Sequence, residues 1–337
     1  DRLSRIPAIM EMPYNDIIRK FIDMYAGRLR NQVSFMLSAC NFYMPIFEEA
    51  LDAYGLPLEL RYLPIIESAL NPSAVSRAGA SGLWQFMIGT GKIYGLESNS
   101  LVDERRDPIK ATWAAARYLK EMYDIYGDWN LVIAAYNCGP GTINKAIRRA
   151  NGETDYWKIY NYLPKETRGY VPAFIAANYV MTYYCDHNIC PMETNIPAST
   201  DTVQVNKNLH FEQIADLCNV PLDQKQMIPG DSKPYTLRLP IDAISTFIDK
   251  QDTIYTHRAD ELFRNRKTVA VKDITPATRK TTSAVAGKGN LAYYTIKSGD
   301  TLSTIARKYG VTIKDIQRWN GMSSTKIAAG KRLKIYK

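Results

Sequence analysis

One carboxylate stands at the head of a long stretch that contains no other acid. The segment ESALNPSAVSRAGASGLWQF, residues 67–86, begins with Glu67 and continues with glycines, hydroxyls, one Trp and two amides. Glu67 lies at the end of an apolar run, where burial and the negative end of a helix dipole both raise the pKa of a carboxyl group. A raised pKa is what a general acid needs at neutral pH, so Glu67 is a candidate catalyst. The alternative is a Glu that turns to solvent at a helix end, and the pattern alone leaves both open.

The residues that follow Glu67 suit the recognition of a sugar. Gly79 and Gly82 permit tight turns and a close approach of the backbone to a ligand. Trp84 and Gln85 offer an aromatic face and an amide that can bond hydroxyl groups. The alternative for this stretch is a helix cap followed by a core Trp. Enzymes that break glycosidic bonds usually place two carboxylates around the bond, so the missing second acid bears directly on mechanism.

Other catalytic chemistries find little support in the sequence. The three His lie far apart, which disfavours Ser-His or Cys-His catalysis and a His-based metal centre. The glycine-rich AAYNCGPG, residues 134–141, has no Gly-Lys-Ser/Thr and is therefore not a nucleotide P-loop. The segment CDHNIC, residues 185–190, allows a metal site, a local disulfide or a reduced pair at a helix end. We expect no cofactor and no metal.

The elements that must position Glu67 are predicted to be helices. From residue 1 to about 190, apolar residues recur at three- and four-residue spacing, and we see no convincing strand. Asn15 or Asp16 is a plausible first cap, and residues 108–127 form a helix between a proline and a glycine. The helix that carries Glu67 should end before Pro72, because the residue before a proline disfavours the helical region. The sequence therefore predicts an all-α lobe.

The second half of the chain carries a repeat. DTVQV and YTLRLP alternate like strands around the helical FEQIADLCNV, and strand, helix, helix, strand follow one another in residues 293–337. An offset of 91 residues places Ile214 on Ile305 and Val220 on Val311, after which the first copy is five residues shorter. The first copy also has Asn-Leu-His where the second has Gly-Asp-Thr. We interpret it as a degenerate copy.

Charge is distributed unevenly along the 337 residues. The net charge is +9, and from residue 267 onwards 15 Lys and Arg face three Asp, so the remainder is slightly acidic. A stretch rich in Thr, Ala and Lys between the two copies indicates a flexible basic linker that spans about 25–30 Å. A basic tail suits an anionic polymer such as nucleic acid, a membrane surface or a cell wall. No apolar run reaches the roughly 18 residues that cross a bilayer. Because the chain begins at Asp1, we expect a processed sequence that lacks any targeting or lipid-anchor segment.

Together these motifs resemble the lytic transglycosylases of the soluble-lytic-transglycosylase type. ESALNP, GASGLWQF, AAYNCGPG and ETRGYVP occur in the order and spacing of that family's lysozyme-like catalytic domain, over about residues 55–185. SGDTLSTIA and WNG resemble a LysM module, a small βααβ fold that binds glycans containing N-acetylglucosamine. The resemblance implies a multidomain chain with an all-α lysozyme-like catalytic domain followed by small βααβ LysM-type modules. The predicted parts are a helical domain at 1–195, a degenerate LysM-like repeat at 196–245, a connecting segment with the basic linker at 246–291, and a LysM module at 292–337.

The resemblance also implies an activity, the cleavage of the β-1,4 bond between N-acetylmuramic acid and N-acetylglucosamine in peptidoglycan. Glu67 would be the sole general acid and base, and the C6 hydroxyl of the sugar would attack to close a 1,6-anhydro ring. No second carboxylate is then needed, because the sugar supplies the nucleophile. By the same resemblance the substrate-binding residues are Ser76, Gln85, Met87, Tyr136, Asn137, Glu166 and Tyr170. Those of the LysM module are Gly299, Asp300, Thr301, Asn320 and Gly321.

Two other functions remain open at this stage. A hydrolytic muramidase would activate water and use Asp103, Asp107 or Glu166 as its second carboxylate. An inactive glycan-binding scaffold would not need Glu67. The expected partner is the peptidoglycan strand rather than nucleic acid, because the basic residues are confined to the linker and the LysM-like module. We expect a monomer in the bacterial periplasm, with contact to the outer membrane only through an N-terminal anchor absent from this sequence.

Overall fold

The computed structural model of the chain divides into two compact units, Asp1–Pro276 and Ala277–Lys337. It describes residues 2–99, 102–194, 196–197, 199–221, 227–228, 234–264, 291–296, 300–322, 327 and 330–336. The predicted basic linker, residues 267–290, and Gly299 lie outside the described residues. Within the described part, no helix is both long enough and apolar enough to span a membrane.

The first part of the larger unit is a helical lobe, as predicted. Its α-helices are α1 (Asp16–Ala26), α2 (Arg30–Ala53), α3 (Leu63–Ser68), α4 (Ile88–Ile93), α5 (Pro108–Tyr126), α6 (Trp129–Cys138), α7 (Pro140–Arg149), α8 (Tyr156–Ile159) and α9 (Lys165–Thr182). Short 3₁₀ turns lie at Leu3–Arg5, Leu58–Tyr62, Glu104–Arg106, Tyr160–Tyr162 and Cys185–His187. The described residues of this lobe form no β-strand, only isolated bridges, which include Val75 with Ser81 and Ser81 with Phe86.

The helices begin and end where the sequence offers the appropriate residues. Asn15, not Asp16, caps α1, because its side chain accepts hydrogen bonds from the backbone of Ile17 and Ile18. Helix α5 ends at Gly127, which has a φ of 62° and therefore adopts the left-handed conformation that closes a helix. Local caps of this kind explain why the helix positions could be predicted.

One continuous hydrophobic core fills the lobe. The middle of α6 is completely enclosed from Leu131 to Ala135; α5 and α9 pack against α6, and α2 packs against α5. Phe47 of α2 and Phe174 of α9 are fully buried. Burial of large apolar side chains contributes about 1.5–3 kcal/mol each, so this core holds α3 and the loop after it in a fixed frame.

The larger unit continues into a small mixed module. Its elements are β1 (Thr200–Val205), β2 (Leu209–His210), α10 (Phe211–Cys218), β3 (Met227–Ile228), β4 (Tyr235–Pro240), α11 (Ile241–Asp249), α12 (Gln251–Thr256) and α13 (Ala259–Leu262). Strands β1 and β4 pair antiparallel, with Val203 opposite Leu237. The module's core includes Phe247 and Ile254, so its packing continues beyond residue 245, where the sequence had suggested a boundary. We propose that the module ends after α13.

The smaller unit has the predicted order of strand, helix, helix and strand. Its elements are β5 (Leu291–Thr295), α14 (Leu302–Tyr309), α15 (Ile313–Asn320) and β6 (Arg332–Tyr336). Strands β5 and β6 pair antiparallel, with Tyr294 opposite Leu333. Helices α10 and α14 begin 91 residues apart and end 91 residues apart. The repeat offset read from the sequence is therefore confirmed at the first helix of each copy.

Candidate active site

Glu67 occupies the end of a short buried helix, as predicted. Pro64 lies in the first turn of α3, and the residues on either side of it, Leu63 and Ile65, are buried. The chain leaves the helix through Ala69 and Leu70, whose φ angles of 51° and 59° are both left-handed. Such angles are uncommon for residues other than glycine, and they turn the chain sharply just after the carboxylate.

A cleft of about 430 Å³, here called the Glu67 cleft, opens beside this turn. Three segments line it: the α1–α2 hairpin, the end of α3 and the loop that follows. The lining residues are Tyr25, Leu29, Gln32, Met36, Ile65, Ile66, Glu67, Ser68, Ala69, Ala74, Val75, Ser76 and Gln85. Three residues predicted from the sequence, Glu67, Ser76 and Gln85, therefore lie together. Among these lining residues Glu67 is the only acid.

The Glu67 carboxyl group has the electrostatics of a general acid. Burial raises its pKa from about 4.5 to about 7, the hydroxyl of Tyr170 opposes this by donating a hydrogen bond to Oε1, and the charge of Glu166 adds to the rise. The side chain keeps some exposure at the cleft, but the loss of water around the carboxyl group dominates. A pKa near 7 leaves both the acid and the base form populated at neutral pH.

Two tyrosines fix the surroundings of Glu67. Burial, together with the charge of Glu67, raises the pKa of Tyr136 and of Tyr170 far above the usual range, so both hydroxyls stay protonated. Tyr170 donates to Glu67 itself. Tyr136 donates instead to the backbone carbonyl of Trp84, at 2.7 Å. Tyr136 therefore positions the loop of residues 79–86, and Tyr170 positions the carboxylate.

The loop of residues 79–86 is clamped by Arg105 and Ser68, neither of which was a sequence-based candidate. Arg105 Nη1 donates to the carbonyls of Gly79 at 2.8 Å and of Phe86 at 3.0 Å, and Asp103 holds the same guanidinium through Nε and Nη2, both at 2.8 Å. Ser68 Oγ donates to the carbonyl of Leu83 at 2.9 Å and so ties the end of α3 to the loop. Arg105 lies about twenty residues from the loop in sequence, so no local pattern could have indicated this clamp.

Trp84 belongs to the core and not to the cleft. Its side chain is fully buried, its Nε1 donates to Thr112 Oγ1 at 2.8 Å, and its ring packs edge-on against Phe47. The interpretation as a core Trp is therefore correct, and its ring offers no face to a sugar. Gln85, by contrast, lines the cleft, with a left-handed φ of 48° and its amide bonded to the carbonyls of Gly82 and Ala74.

The other predicted groove residues lie around the cleft without lining it. Met87 is half-buried and directly precedes α4. Asn137 Oδ1 accepts a hydrogen bond from Thr167 Oγ1 at 2.9 Å, which links the end of α6 to α9. Glu166 is exposed in the first turn of α9 and acts on Glu67 through its charge. Their contacts with substrate stay predictions.

Two of the three candidate second carboxylates have structural roles. Asp103 is half-buried, but its bonds to Arg105 and the charge of that residue outweigh desolvation and hold the pKa of Asp103 below its usual value. Asp107 caps α5 by accepting from the backbone of Ile109 at 2.9 Å and of Lys110 at 3.0 Å. Of the three, only Glu166 contributes to the raised pKa of Glu67, through its charge.

The predicted glycan residues of the LysM module are largely engaged in holding that module together. Asp300 accepts a hydrogen bond from the Tyr294 hydroxyl at 2.8 Å. Asn320 donates to the carbonyls of Ile316 and Lys334 and accepts from the backbone of Lys334. Gly321 follows with a left-handed φ of 63°. Asn320 therefore shapes the module, and the binding of glycan by this set remains a prediction.

The two copies cap their first helix in the same way with different residues. In the second copy, the backbone of Thr301 and the backbone of Thr304 each donate to the other's hydroxyl. In the first copy, His210 is buried and accepts from the backbone of Glu212, while its own backbone donates to Gln213. His210 stands where the second copy has Thr301, at the offset of 91, and it serves as the buried N-cap of α10.

The segment CDHNIC shows no sign of a metal centre. Cys185 and Cys190 are exposed free thiols, and His187 packs edge-on against Tyr179. Within the described residues, no group of three or more His, Cys, Asp or Glu is placed to hold a metal ion.

A change at Tyr170 tests the electrostatics of the cleft. Because the Tyr170 hydrogen bond lowers the pKa of Glu67, Tyr170→Phe should raise that pKa by about 0.5–1 unit, the equivalent of one hydrogen bond. The alkaline limb of kcat/KM, where free Glu67 loses its proton, should then move to higher pH. The pH profile of glycan cleavage measures this. Tyr136→Phe is the matched control, because that hydroxyl bonds Trp84 and should leave the limb in place. If the alkaline limb of Tyr170→Phe does not move, or moves to lower pH, the Tyr170 hydrogen bond does not lower the pKa of Glu67.

Comparison with known proteins defines the class to which this fold and site belong. Residues 44–159 match the family described as "Transglycosylase SLT domain". Residues 294–335 match "LysM domain", and residues 199–256 match "Lytic transglycosylase MltD, LysM-like domain". The helical lobe with Glu67 is thus an SLT transglycosylase domain, followed by a LysM-like and a LysM domain.

The chain belongs to the family of membrane-bound lytic murein transglycosylase D. It is 31% identical over 330 residues to the Escherichia coli (strain K12) protein of that name, covering 97% of this chain and 70% of the relative. It is also 33% identical over 124 residues to the soluble lytic murein transglycosylase of E. coli K12, covering 35% of this chain and 19% of the relative. The structure of the 70 kDa soluble lytic transglycosylase Slt70 from E. coli aligns over 42% of this chain and 24% of the other, with 29% identity and a TM-score of 0.37.

Proposed function

We propose that this protein is a peptidoglycan lytic transglycosylase in which Glu67 is the single general acid and base. The bond that it cleaves is the β-1,4 bond from N-acetylmuramic acid to N-acetylglucosamine, and the product carries a 1,6-anhydromuramoyl end. The observation that carries this proposal is the Glu67 cleft, where one carboxyl group with a pKa of about 7 has no second acid among the lining residues. Relatives named lytic murein transglycosylases support the same reaction class.

The first step needs the protonated form of Glu67. Its proton passes to the glycosidic oxygen, the bond from that oxygen to C1 of the muramoyl sugar breaks, and the N-acetylglucosamine part leaves with a new hydroxyl. The hydroxyl of Tyr170 bonds Oε1 and stabilises the carboxylate that this transfer creates. No described residue donates a hydrogen bond to Oε2, so that oxygen is open to the sugar.

The second step uses the carboxylate that the first step leaves behind. Glu67 removes the proton of the C6 hydroxyl, and the C6 oxygen forms a bond to C1 of the same sugar. The proton lost in the first step is thereby restored to Glu67, and no water is consumed. A group that acts as an acid and then as a base works best with a pKa near the working pH, which the partly desolvated site provides.

The remaining modules suit a protein that works on an insoluble polymer. LysM domains support binding to peptidoglycan, and the basic tail adds attraction to the carboxylates of its peptide stems, which salt would screen. Relatives named for the murein and the cell wall indicate the cell envelope as the location. We propose, more narrowly, a periplasmic monomer. Cell fractionation and light scattering test these two points.

The mass of the products decides between the proposed reaction and hydrolysis. Purified sacculi digested by the protein should release muropeptides that end in the anhydro sugar, one water lighter than hydrolysed ends. Mass spectrometry of the soluble fragments measures this directly. Hydrated ends alone would point to a muramidase with Glu166 as the second carboxylate. An absence of soluble fragments would point to a glycan-binding scaffold.

A further inference from the structure

The wall of the Glu67 cleft that comes from the α1–α2 hairpin lies outside the matched transglycosylase domain. That domain match begins at residue 44, whereas Tyr25, Leu29, Gln32 and Met36 all line the cleft. The hairpin is therefore part of the site and not only a support for it. Two of its residues, Tyr25 and Gln32, carry polar groups that the mechanism described above does not use.

Tyr25 presents an enclosed hydroxyl without a partner. Only 7% of the residue is exposed, yet its hydroxyl forms no hydrogen bond with any described residue and still reaches solvent. Burial raises its pKa to about 12, so it remains a hydrogen-bond donor at neutral pH. Because this hydroxyl reaches the solvent of the cleft, a ligand bound there can take the place of water as its hydrogen-bond acceptor.

The packing of α1 holds Tyr25 in this position. Helix α1 lies against α9, and at Gly169 of α9 an added Cβ would come within 3.2 Å of the ring of Phe21. The same packing brings Tyr25 close enough to Tyr170 that ionisation of Tyr25 would raise the pKa of Tyr170. Tyr25 and Glu67 line the same cleft.

Gln32 and the apolar residues of the cleft indicate what kind of group would fit beside Tyr25. Gln32 is exposed on α2, and its amide forms no hydrogen bond with the described residues. Leu29, Met36 and Ile66 add apolar surface to the same cleft. An acetamido group has a methyl group for such a surface, a carbonyl that accepts from a phenol and an N–H that donates to an amide oxygen.

We propose that Tyr25 and Gln32 form a subsite for the acetamido group of an N-acetylated sugar in the Glu67 cleft. The inference deepens the proposed function and rests on it, because it assumes that the glycan chain occupies this cleft. Tyr25 and Gln32 are positioning residues, since neither touches the Glu67 carboxyl group by a hydrogen bond. Their contribution is to binding and not to the ionisation of the catalyst.

The inference is tested by inhibition of glycan cleavage with two oligomers, tetra-N-acetylglucosamine and the same tetramer without its acetyl groups. Tyr25→Phe and Gln32→Ala should each raise the inhibition constant of the acetylated oligomer about threefold to tenfold, the worth of one hydrogen bond. Both variants should leave the inhibition constant of the deacetylated oligomer unchanged. Neither should move the alkaline limb of kcat/KM. Tyr123→Phe is the matched control, because Tyr123 stacks on Trp129 and does not line the cleft.

Three results would overturn the inference. One is an unchanged inhibition constant of the acetylated oligomer in both variants, when both melt at the same temperature as the wild type. Another is an equal change for both oligomers, which would mean that the acetyl group is not recognised. The third is a shifted alkaline limb in Tyr25→Phe, which would assign Tyr25 to tuning Glu67. A failure of the proposed reaction would appear separately, as hydrated ends in the products of the wild-type protein.

Discussion

Glu67→Gln is expected to lower the rate of glycan cleavage by about 10²–10⁴-fold, the usual contribution of a general acid or base. Both steps of the proposed reaction pass through this one group, so the variant loses the proton donor and the base together. Gln keeps the size of the side chain and can still accept the hydrogen bond from Tyr170, so binding should persist. Release of soluble muropeptides from sacculi measures the loss. A decrease of less than tenfold would reject the single-acid mechanism.

The stability of the same variant provides a check that is independent of activity. The native pKa of about 7 lies above the reference value of about 4.5, so between these values the native state binds more protons than the unfolded state. The wild-type free energy of unfolding should therefore fall as the pH rises from about 4.5 to about 7. Glu67→Gln removes this dependence, and the variant should melt at a higher temperature than the wild type at pH 8 but not at pH 4.

Glu166→Gln is the control that separates transglycosylation from hydrolysis. The charge of Glu166 contributes to the raised pKa of Glu67, so its removal should move the alkaline limb of kcat/KM to lower pH and reduce the rate by less than about tenfold. In a hydrolytic enzyme with Glu166 as second carboxylate, this variant would lose as much activity as Glu67→Gln. The two variants measured side by side therefore distinguish the mechanisms.

Gly82→Ala is expected to have the largest effect on the architecture of the site. A Cβ at this position would lie 1.8 Å from the carbonyl oxygen of Arg105, and the backbone φ of 84° is in the region that favours glycine. Neither backbone can yield without moving the clamp that Arg105 forms on the loop. We expect a loss of roughly 3–5 kcal/mol in the free energy of unfolding, at the upper end for single substitutions, with loss of cleavage. Thermal and urea unfolding measure the first, and muropeptide release measures the second.

Gly79→Ala is the matched control for the contact between residue 82 and the backbone of Arg105. Gly79 has nearly the same φ, 88°, but an added Cβ there would meet no atom within 4 Å. It should therefore cost only the strain of the left-handed backbone, about 1 kcal/mol. Equal losses in the two variants would show that strain, and not contact with Arg105, dominates at Gly82.

The comparison of Gly79 with Gly82 illustrates what could be read from the sequence and what could not. Both glycines were expected to permit tight turns, and both have positive φ angles. Only the fold reveals that one of them faces open space and the other a backbone more than twenty residues further along the chain. Trp84 gives the same lesson, because a groove aromatic and a core aromatic look alike in sequence. Its side chain is a core group because Thr112 and Phe47 enclose it.

Features that depend on neighbours along the chain could be predicted from local patterns of residues. Helix caps, the position of Glu67 at the end of α3 and the 91-residue offset of the two copies arise from local patterns, because caps and periodicity act within a few residues. The tertiary structure decided which groups meet Glu67. Packing of distant helices around a common core brings Tyr170 of α9 to Glu67 and Tyr25 of α1 to the same cleft, while Arg105 clamps the loop of residues 79–86. Burial in this place sets the pKa of Glu67. Burial depends on all the elements that surround a group, so no single stretch of sequence contains it.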